Sequence, residues 1–259
     1  MPYADINGQR IHFEDSGGAG SPVVFTHGFL MDQSMFDRQV EALSPEFRVI
    51  RWDSRCFGET EWDGKPFTLW DSASDIIGLL DHLGIEQAVL GGMSQGGFAS
   101  LRAALAHPSR VKALVLMSTS GHSDDPEQEK EGRRQMAEHW SPDPGLLGQL
   151  AGMILGGEEH WEPWVSKWKE VSRDRVKGAM PALTDRDDIF PRLGEITCPA
   201  IVIHGTADVG IPIEKGEALA KALPRCKGVV RVPGAAHAPS LTHAAKVNPP
   251  LLEFLRAFG

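Results

Sequence analysis

The sequence predicts the α/β fold class: a mostly parallel sheet with helices on both faces, interrupted by a mainly helical insertion. Three observations lead there. Short apolar runs alternate with segments of helical spacing from Val23 to Met117. The runs Val23-Val24-Phe25 and Val111 to Met117 are apolar without period-two alternation, as expected of strands buried on both faces. The rhythm then stops near Gly121 and resumes at Ala200, with acidic residues, prolines, glycines and four tryptophans between.

Taken in order, Ala4 to Ser16 reads as two strands around the hairpin turn Asn7-Gly8. Val23 to His27 is a strand stopped by Gly28, Asp37 to Leu43 a helix, and Arg48 to Trp52 a further strand. Leu69 to Leu83 carries Ala73, Ile76, Ile77 and Leu80 at helical spacing and stops at Gly84. Gln87 to Leu90 is a strand, Phe98 to Ala106 a helix ended by Pro108, and Val111 to Met117 a strand. After the insertion come a strand at Ala200–His204, a helix at Glu214–Leu223, a strand at Gly228–Val232 and a helix at Pro249–Phe258. The expected division is a core of residues 1–121 and 189–259, with a helical insertion at 122–188.

Composition narrows the function classes. A chain of 259 residues can bury a full core. Its net charge of −9 disfavours nucleic acid, which requires a basic face to neutralise phosphates. Cys56, Cys198 and Cys226 lie far apart, without the spacing of a zinc site, and cannot all pair within one chain. No His/Asp/Glu cluster shows ligand spacing, so neither metal nor cofactor is expected. Met1-Pro2-Tyr3-Ala4-Asp5 has no basic stretch followed by an apolar one, so no signal peptide is expected. No run approaches the roughly 18 apolar residues of a membrane span. The expectation is a cytoplasmic protein that binds neither nucleic acid nor membrane; the oligomeric state stays open.

The chemistry centres on Gly92-Met93-Ser94-Gln95-Gly96, where an apolar run ends in glycines around one serine. This fits a nucleophile elbow, a strand-to-helix turn too tight for a Cβ two residues before or after the serine. A serine hydroxyl needs a base oriented by an acid. In an open parallel sheet those partners belong on loops past the carboxyl ends of later strands. Two loops qualify: His204-Gly205-Thr206-Ala207-Asp208 and Gly234-Ala235-Ala236-His237. The chain order Ser94, Asp208, His237 is that of an elbow-type hydrolase. Ser94 also precedes a helix whose first N–H groups are free, which makes the Gln95 N–H the natural first oxyanion donor.

These segments, with His27-Gly28-Phe29-Leu30, Asp53-Ser54-Arg55-Cys56-Phe57-Gly58 and Pro212 after Asp208, make the chain resemble the α/β-hydrolase superfamily along nearly its whole length. The resemblance is to the small capped esterase, lactonase and perhydrolase-like branch. It implies an eight-stranded sheet with the helical cap inserted after strand 6, and it makes the Phe29 N–H the second oxyanion donor. Each donor is worth about 3 kcal/mol in the transition state. Some relatives place the acid after strand 6, which here falls near Asp124 or Asp125. His27 is read as structural and His243 as a surface residue. Asp53 and Arg55 are read as a structural pair. Cys56 departs from the family pattern, which has glycine there, and so raises the question of strain.

The candidates for the substrate pocket are Leu30, Met93, Trp140, Trp161, Trp164 and Trp168, with Met31 and Met153 as adaptable filler; most of the four tryptophans are expected to pack the cap helices onto the sheet, and one or two to touch substrate. The expected activity is cleavage of a small-molecule carboxylic ester or lactone by water through an acyl-enzyme on Ser94. His237 is the base and Asp208 the orienting acid. Four alternatives share this scaffold: perhydrolase or haloperoxidase-like chemistry, acyl transfer, C–C bond hydrolysis, and a ligand receptor that does not turn over.

Overall fold

The structure, a computed structural model, describes residues 2–259. Eight strands form one sheet: β1 (Tyr3–Ile6), β2 (Gln9–Asp15), β3 (Pro22–Thr26), β4 (Arg48–Trp52), β5 (Ala88–Met93), β6 (Val111–Met117), β7 (Ala200–Gly205) and β8 (Cys226–Val232). Their spatial order is β1-β2-β4-β3-β5-β6-β7-β8. Only β2 runs against the rest, pairing antiparallel with β1 and β4. All other pairings are parallel.

Successive residues of the central strands bury opposite faces. Val23, Phe25, Val89, Val115 and Met117 join a core with Leu43 of α1 (Asp37–Leu43) and Val247, Leu251 and Leu255 near the C-terminus. Val24, Leu90, Leu114 and Leu116 join the opposite core with Ile76 and Leu80 of α2 (Leu69–His82) and Leu101 of α3 (Gln95–Ala106). Both faces are dry, which is why these strands show no polar alternation.

Between β6 and β7 lie four helices, α4 (Glu127–Glu138), α5 (Pro144–Ile154), α6 (Trp164–Lys169) and α7 (Arg173–Thr184), and no strand. After β7 the chain forms α8 (Ile213–Ala222), then β8, α9 (Pro239–Thr242) and α10 (Ala244–Phe258).

Several boundaries differ from expectation: β5 runs on to Met93 rather than ending at Leu90, β8 starts at Cys226 rather than Gly228, and two helices start early. Helix α3 starts at Gln95 rather than Phe98, taking Gly96 and Gly97 into its first turn. Helix α10 starts at Ala244 and carries Pro249 and Pro250 inside. Its first turns are held by tertiary contacts that outweigh the proline cost: Val247 is fully buried, and Asn248 donates to Arg38 O at 2.9 Å.

The topology positions the site. From β3 the chain steps outward to β4 and returns to lay β5 on the other side of β3. The carboxyl ends of β3 and β5 therefore flank a switch point, where open α/β sheets bind ligands.

Candidate active site

Ser94 follows β5 with φ 51° and ψ −113°, a backbone conformation that a non-glycine residue holds only under constraint. The constraint comes from both sides. Ser94 N–H donates to Met117 O at 2.9 Å, and Ser94 O accepts from Thr119 Oγ1 at 2.9 Å and Phe98 N at 3.0 Å. A Cβ on Gly92 would lie 2.2 Å from Gly96 C and O, and one on Gly96 would lie 2.0 Å from Thr26 O. Only glycine fits at either place.

Phe29 follows β3 on the neighbouring strand. A Cβ on the preceding Gly28 would sit 2.6 Å from Met93 Sδ, so the two loops touch. Among the described residues, no backbone acceptor takes the Phe29 N–H or the Gln95 N–H. His27 is spent on structure, as expected. Its Nδ1 donates to Gly28 O at 2.8 Å and its Nε2 accepts from Ser54 N at 3.0 Å. Burial holds its imidazole below the usual range.

Asp208 and His237 come together from the loops after β7 and β8. His237 Nδ1 lies 2.7 Å from Asp208 Oδ2. That leaves Nε2 for the cavity side, and His237 lines the cavity that Ser94 also lines. Among the described residues no hydrogen bond joins Ser94 to His237, and the two meet only as neighbours on the wall of one cavity. Asp208 Oδ1 accepts from Gly210 N and Ile211 N, each at 2.9 Å. A second, fully buried histidine, His204, places Nε2 3.2 Å from Asp208 Oδ2 and 2.8 Å from Ile211 O. Burial works to raise the Asp208 carboxyl. The His237 ring, the His204 bond and the backbone bonds outweigh it and hold the group well below the usual carboxylate range. Sequence reasoning misses His204, although it stands four residues before the acid.

Asp124 and Asp125 do other things. Asp124 pairs with Lys215 at 2.8 Å, and Asp125 sits among Arg133, Arg186 and Lys215 at 2.9, 2.9 and 3.2 Å. Against the raising effect of burial, the two guanidiniums hold the Asp125 carboxyl below its usual range.

Ser94, His237, Phe29, Leu30 and Met93 line one cavity of about 500 Å³, a volume typical of small-molecule sites. The insertion contributes Met136, Leu146, Leu150, Met153 and Met180, with a charged end at Asp125, Glu129, Arg133 and Arg186.

The tryptophans are the main correction. Trp140, Trp161, Trp164 and Trp168 line none of it. Three of them donate their indole N–H to a backbone carbonyl instead: Trp140 to Val171 O at 2.9 Å, Trp161 to Gly156 O at 2.9 Å and Trp168 to Leu30 O at 2.6 Å. A buried indole N–H requires an acceptor, and an apolar cavity wall supplies none. Met31 is buried in the core rather than on the wall.

One further expectation changes, and the question raised by Cys56 is answered. Asp53 and Arg55 are not a pair. Asp53 accepts from Gln33 N at 2.8 Å and Glu59 N at 2.9 Å and lies 2.9 Å from His12 Nδ1, while Arg55 donates to Asp75. Cys56 has φ 71°, so it occupies the left-handed backbone that a glycine would favour, and it sits in a cluster with Phe57, Phe67 and Phe98 behind the cavity wall without lining it. Burial pushes its thiol up to about 12. A thiol that stays protonated is a poor nucleophile.

Comparison with known proteins agrees with this fold. The family described as alpha/beta hydrolase fold matches residues 21–143. The 2-hydroxy-6-oxononadienedioate/2-hydroxy-6-oxononatrienedioate hydrolase of Paraburkholderia phymatum is 31% identical over 95% of this chain and 91% of its own length. The chain belongs to the α/β-hydrolase family. Among solved structures, this hydrolase is similar to the enol-lactonase of Burkholderia xenovorans, with a TM-score of 0.91, 25% identity and coverage of 98% and 100% of the two chains. It is also similar to a thermophilic esterase of Thermogutta terrifontis, with a TM-score of 0.89, 30% identity and coverage of 99% and 97%. Among the described residues of this hydrolase, no helix is long and apolar enough to cross a membrane.

Proposed function

We propose that the chain is a serine hydrolase that cleaves a carboxylic ester or lactone through an acyl-enzyme on Ser94. The observation that carries this reading is the 2.7 Å pair of His237 Nδ1 and Asp208 Oδ2 opening on the cavity that is also lined by a strained serine, Ser94. In the proposed reaction His237 Nε2 takes the Ser94 proton as Oγ adds to the acyl carbon. The oxyanion that forms accepts from the Phe29 and Gln95 N–H groups. His237 then returns the proton to the leaving alkoxide, and the Asp208 carboxylate holds the tautomer and balances the imidazolium. Water, activated by the same imidazole, releases the acid.

Similarity to an esterase and an enol-lactonase supports the ester or lactone class. Similarity to the 2-hydroxy-6-oxononadienedioate hydrolase favours a second reading, C–C bond hydrolysis by the same residues. The proposal includes residues 122–188 as a cap over the serine and a cytoplasmic location, which free cysteines at 56, 198 and 226 support.

The test is hydrolysis of aryl esters, lactones and vinylogous diketones by wild type and Ser94→Ala, with fluorophosphonate labelling of both. Ser94→Ala is expected to lower kcat by about 10⁶ and to abolish labelling. Activity within tenfold of wild type rules the reading out.

A further inference from the structure

The loop that carries Phe29 holds a shape its own residues do not favour. Leu30 has φ 61°, a left-handed conformation that leucine adopts only where the surroundings over-determine it. Part of the restraint is local: Met31 N–H donates to Gly28 O at 3.1 Å and closes the turn around Phe29 and Leu30. The rest comes from α6, far along the chain. Trp168 Nε1 donates to Leu30 O at 2.6 Å. The adjacent Lys167 places Nζ 2.7 Å from Asp32 Oδ2 and 2.7 Å from Ser34 Oγ, on the same loop. Asp32 in turn accepts from Ser34 N at 2.9 Å, which organises the next turn. Trp168 is fully buried, and neither it nor Lys167 lines the cavity, so neither is placed to touch substrate.

We propose that α6 is a clamp on the oxyanion loop, with Trp168 as a positioning residue for the Phe29 N–H and Lys167 as a second hold. The inference rests on the reading of Phe29 as an oxyanion donor. Oxyanion donors act through preorganisation: they contribute because they already point where charge will develop. With the Trp168 bond lost, the Leu30 carbonyl is buried without its partner and Leu30 is free to relax to negative φ. That relaxation turns the peptide planes beside Phe29 and swings its N–H off target. The insertion then does more than roof the serine; it sets one of the two groups that stabilise the transition state.

The experiment uses the full chain as wild type, Trp168→Phe and Lys167→Met. It measures kcat and KM for a phenyl ester, inhibition by a trifluoromethyl ketone with the same acyl group, and hydrogen exchange over residues 28–34. Addition of the ketone to Ser94 places an oxyanion in the hole, so its affinity reads the donors directly. Trp168→Phe is expected to lower kcat by about 10- to 100-fold, a part of the roughly 10² to 10³ lost with a whole donor. KM is expected to change less than about threefold, ketone inhibition to weaken in step with kcat/KM, and residues 28–34 to exchange faster. Lys167→Met is expected to move the same readouts by about threefold. A folded Trp168→Phe with kcat within twofold of wild type, or with unchanged exchange over 28–34, overturns the clamp. Lys167 is partly exposed, so if Trp168→Phe does not fold, unchanged exchange in Lys167→Met overturns it instead. A wild type that neither hydrolyses esters through Ser94 nor binds the ketone sinks the hydrolase reading, and the exchange data still decide whether α6 holds the loop.

Discussion

The core loops beneath the cavity and the helices above it are shaped by different means. Below, backbone does the work: Gly92 and Gly96 leave no room for a Cβ, and the β5 to α3 turn follows from that exclusion. Above, side chains do it. Trp140 and Trp161 donate to the carbonyls of Val171 and Gly156, which lie just past the C-terminal ends of α6 and α5. Both carbonyls stand outside the helical ladder and need a donor from elsewhere, which a large amphipathic ring with one N–H supplies. The apolar part of the cavity wall is built instead from aliphatic chains, among them the flexible Met136, Met153 and Met180 beside Leu146 and Leu150. One half of the site is thus set by what cannot fit, and the other by what happens to pack.

The largest expected effect separates two carboxylates across that divide. Asp208→Asn is expected to lower kcat by about 10⁴, because an amide favours the wrong imidazole tautomer. Asp125→Asn, on the loop after β6, is expected to change kcat by less than about tenfold, because its partners are Arg133, Arg186 and Lys215 rather than His237. Steady-state kinetics on the two variants checks this, and a reversed order moves the acid to the loop after β6. The wild type adds a pH signature. The Asp208 carboxyl is held below its unfolded value, so its stabilisation is fully present above the ordinary carboxylate pKa of about 3.9. It is lost as pH falls through the lower folded-state value, and Asp208→Asn is expected to lack that acid-side loss in urea titrations.

A smaller effect is expected above the cavity. Met153→Ala is expected to raise KM for long acyl esters by about tenfold, the scale of a pocket losing a few methylenes, with KM for acetyl esters little changed. Trp161→Phe is expected to do the opposite: KM stays within about twofold across chain lengths. The melting temperature falls by about 2–4 °C as one hydrogen bond of about 1 kcal/mol is lost. Dependence of chain-length preference on Trp161 rather than Met153 erases the distinction between staple and wall.

The same division explains what was legible in the sequence. The sheet, the elbow and the Asp208 and His237 loops are local patterns, each written in adjacent residues whose types are forced by turn geometry. The fold class was readable for that reason, and so was the placement of Ser94 and His237 on one cavity. The one or two tryptophans expected at substrate are not there, and packing, the reading for the others, holds for all four; aromatic content says nothing of where an N–H finds an acceptor, and that acceptor can be distant: Leu30 is 138 positions from Trp168. Asp53 and Arg55 were misread for a related cause. Proximity in sequence suggested a pair, while β2, α2 and the Gln33 turn supply each with a better-placed partner of its own.

Cys56 tests whether a loop on the core side can be held by side chains instead of glycine, and it carries the smallest expected effect. Its φ of 71° costs an L-residue about 1–2 kcal/mol, which Cys56→Gly relieves. Against that, glycine adds about 0.5–1 kcal/mol of unfolded-state entropy and removes the buried thiol from its contacts with Phe57, Phe67 and Phe98. The terms nearly cancel. The loop itself is held by Asp53, whose carboxylate spans Gln33 N and Glu59 N, and that restraint is the same in either variant. Denaturant unfolding of Cys56→Gly is therefore expected to lie within about 1 kcal/mol of wild type, with kcat unchanged within twofold because Cys56 stands off the cavity. Stabilisation beyond about 2 kcal/mol would mean that the loop is strained and poorly restrained, and that glycine governs backbone shape here as it does at the elbow.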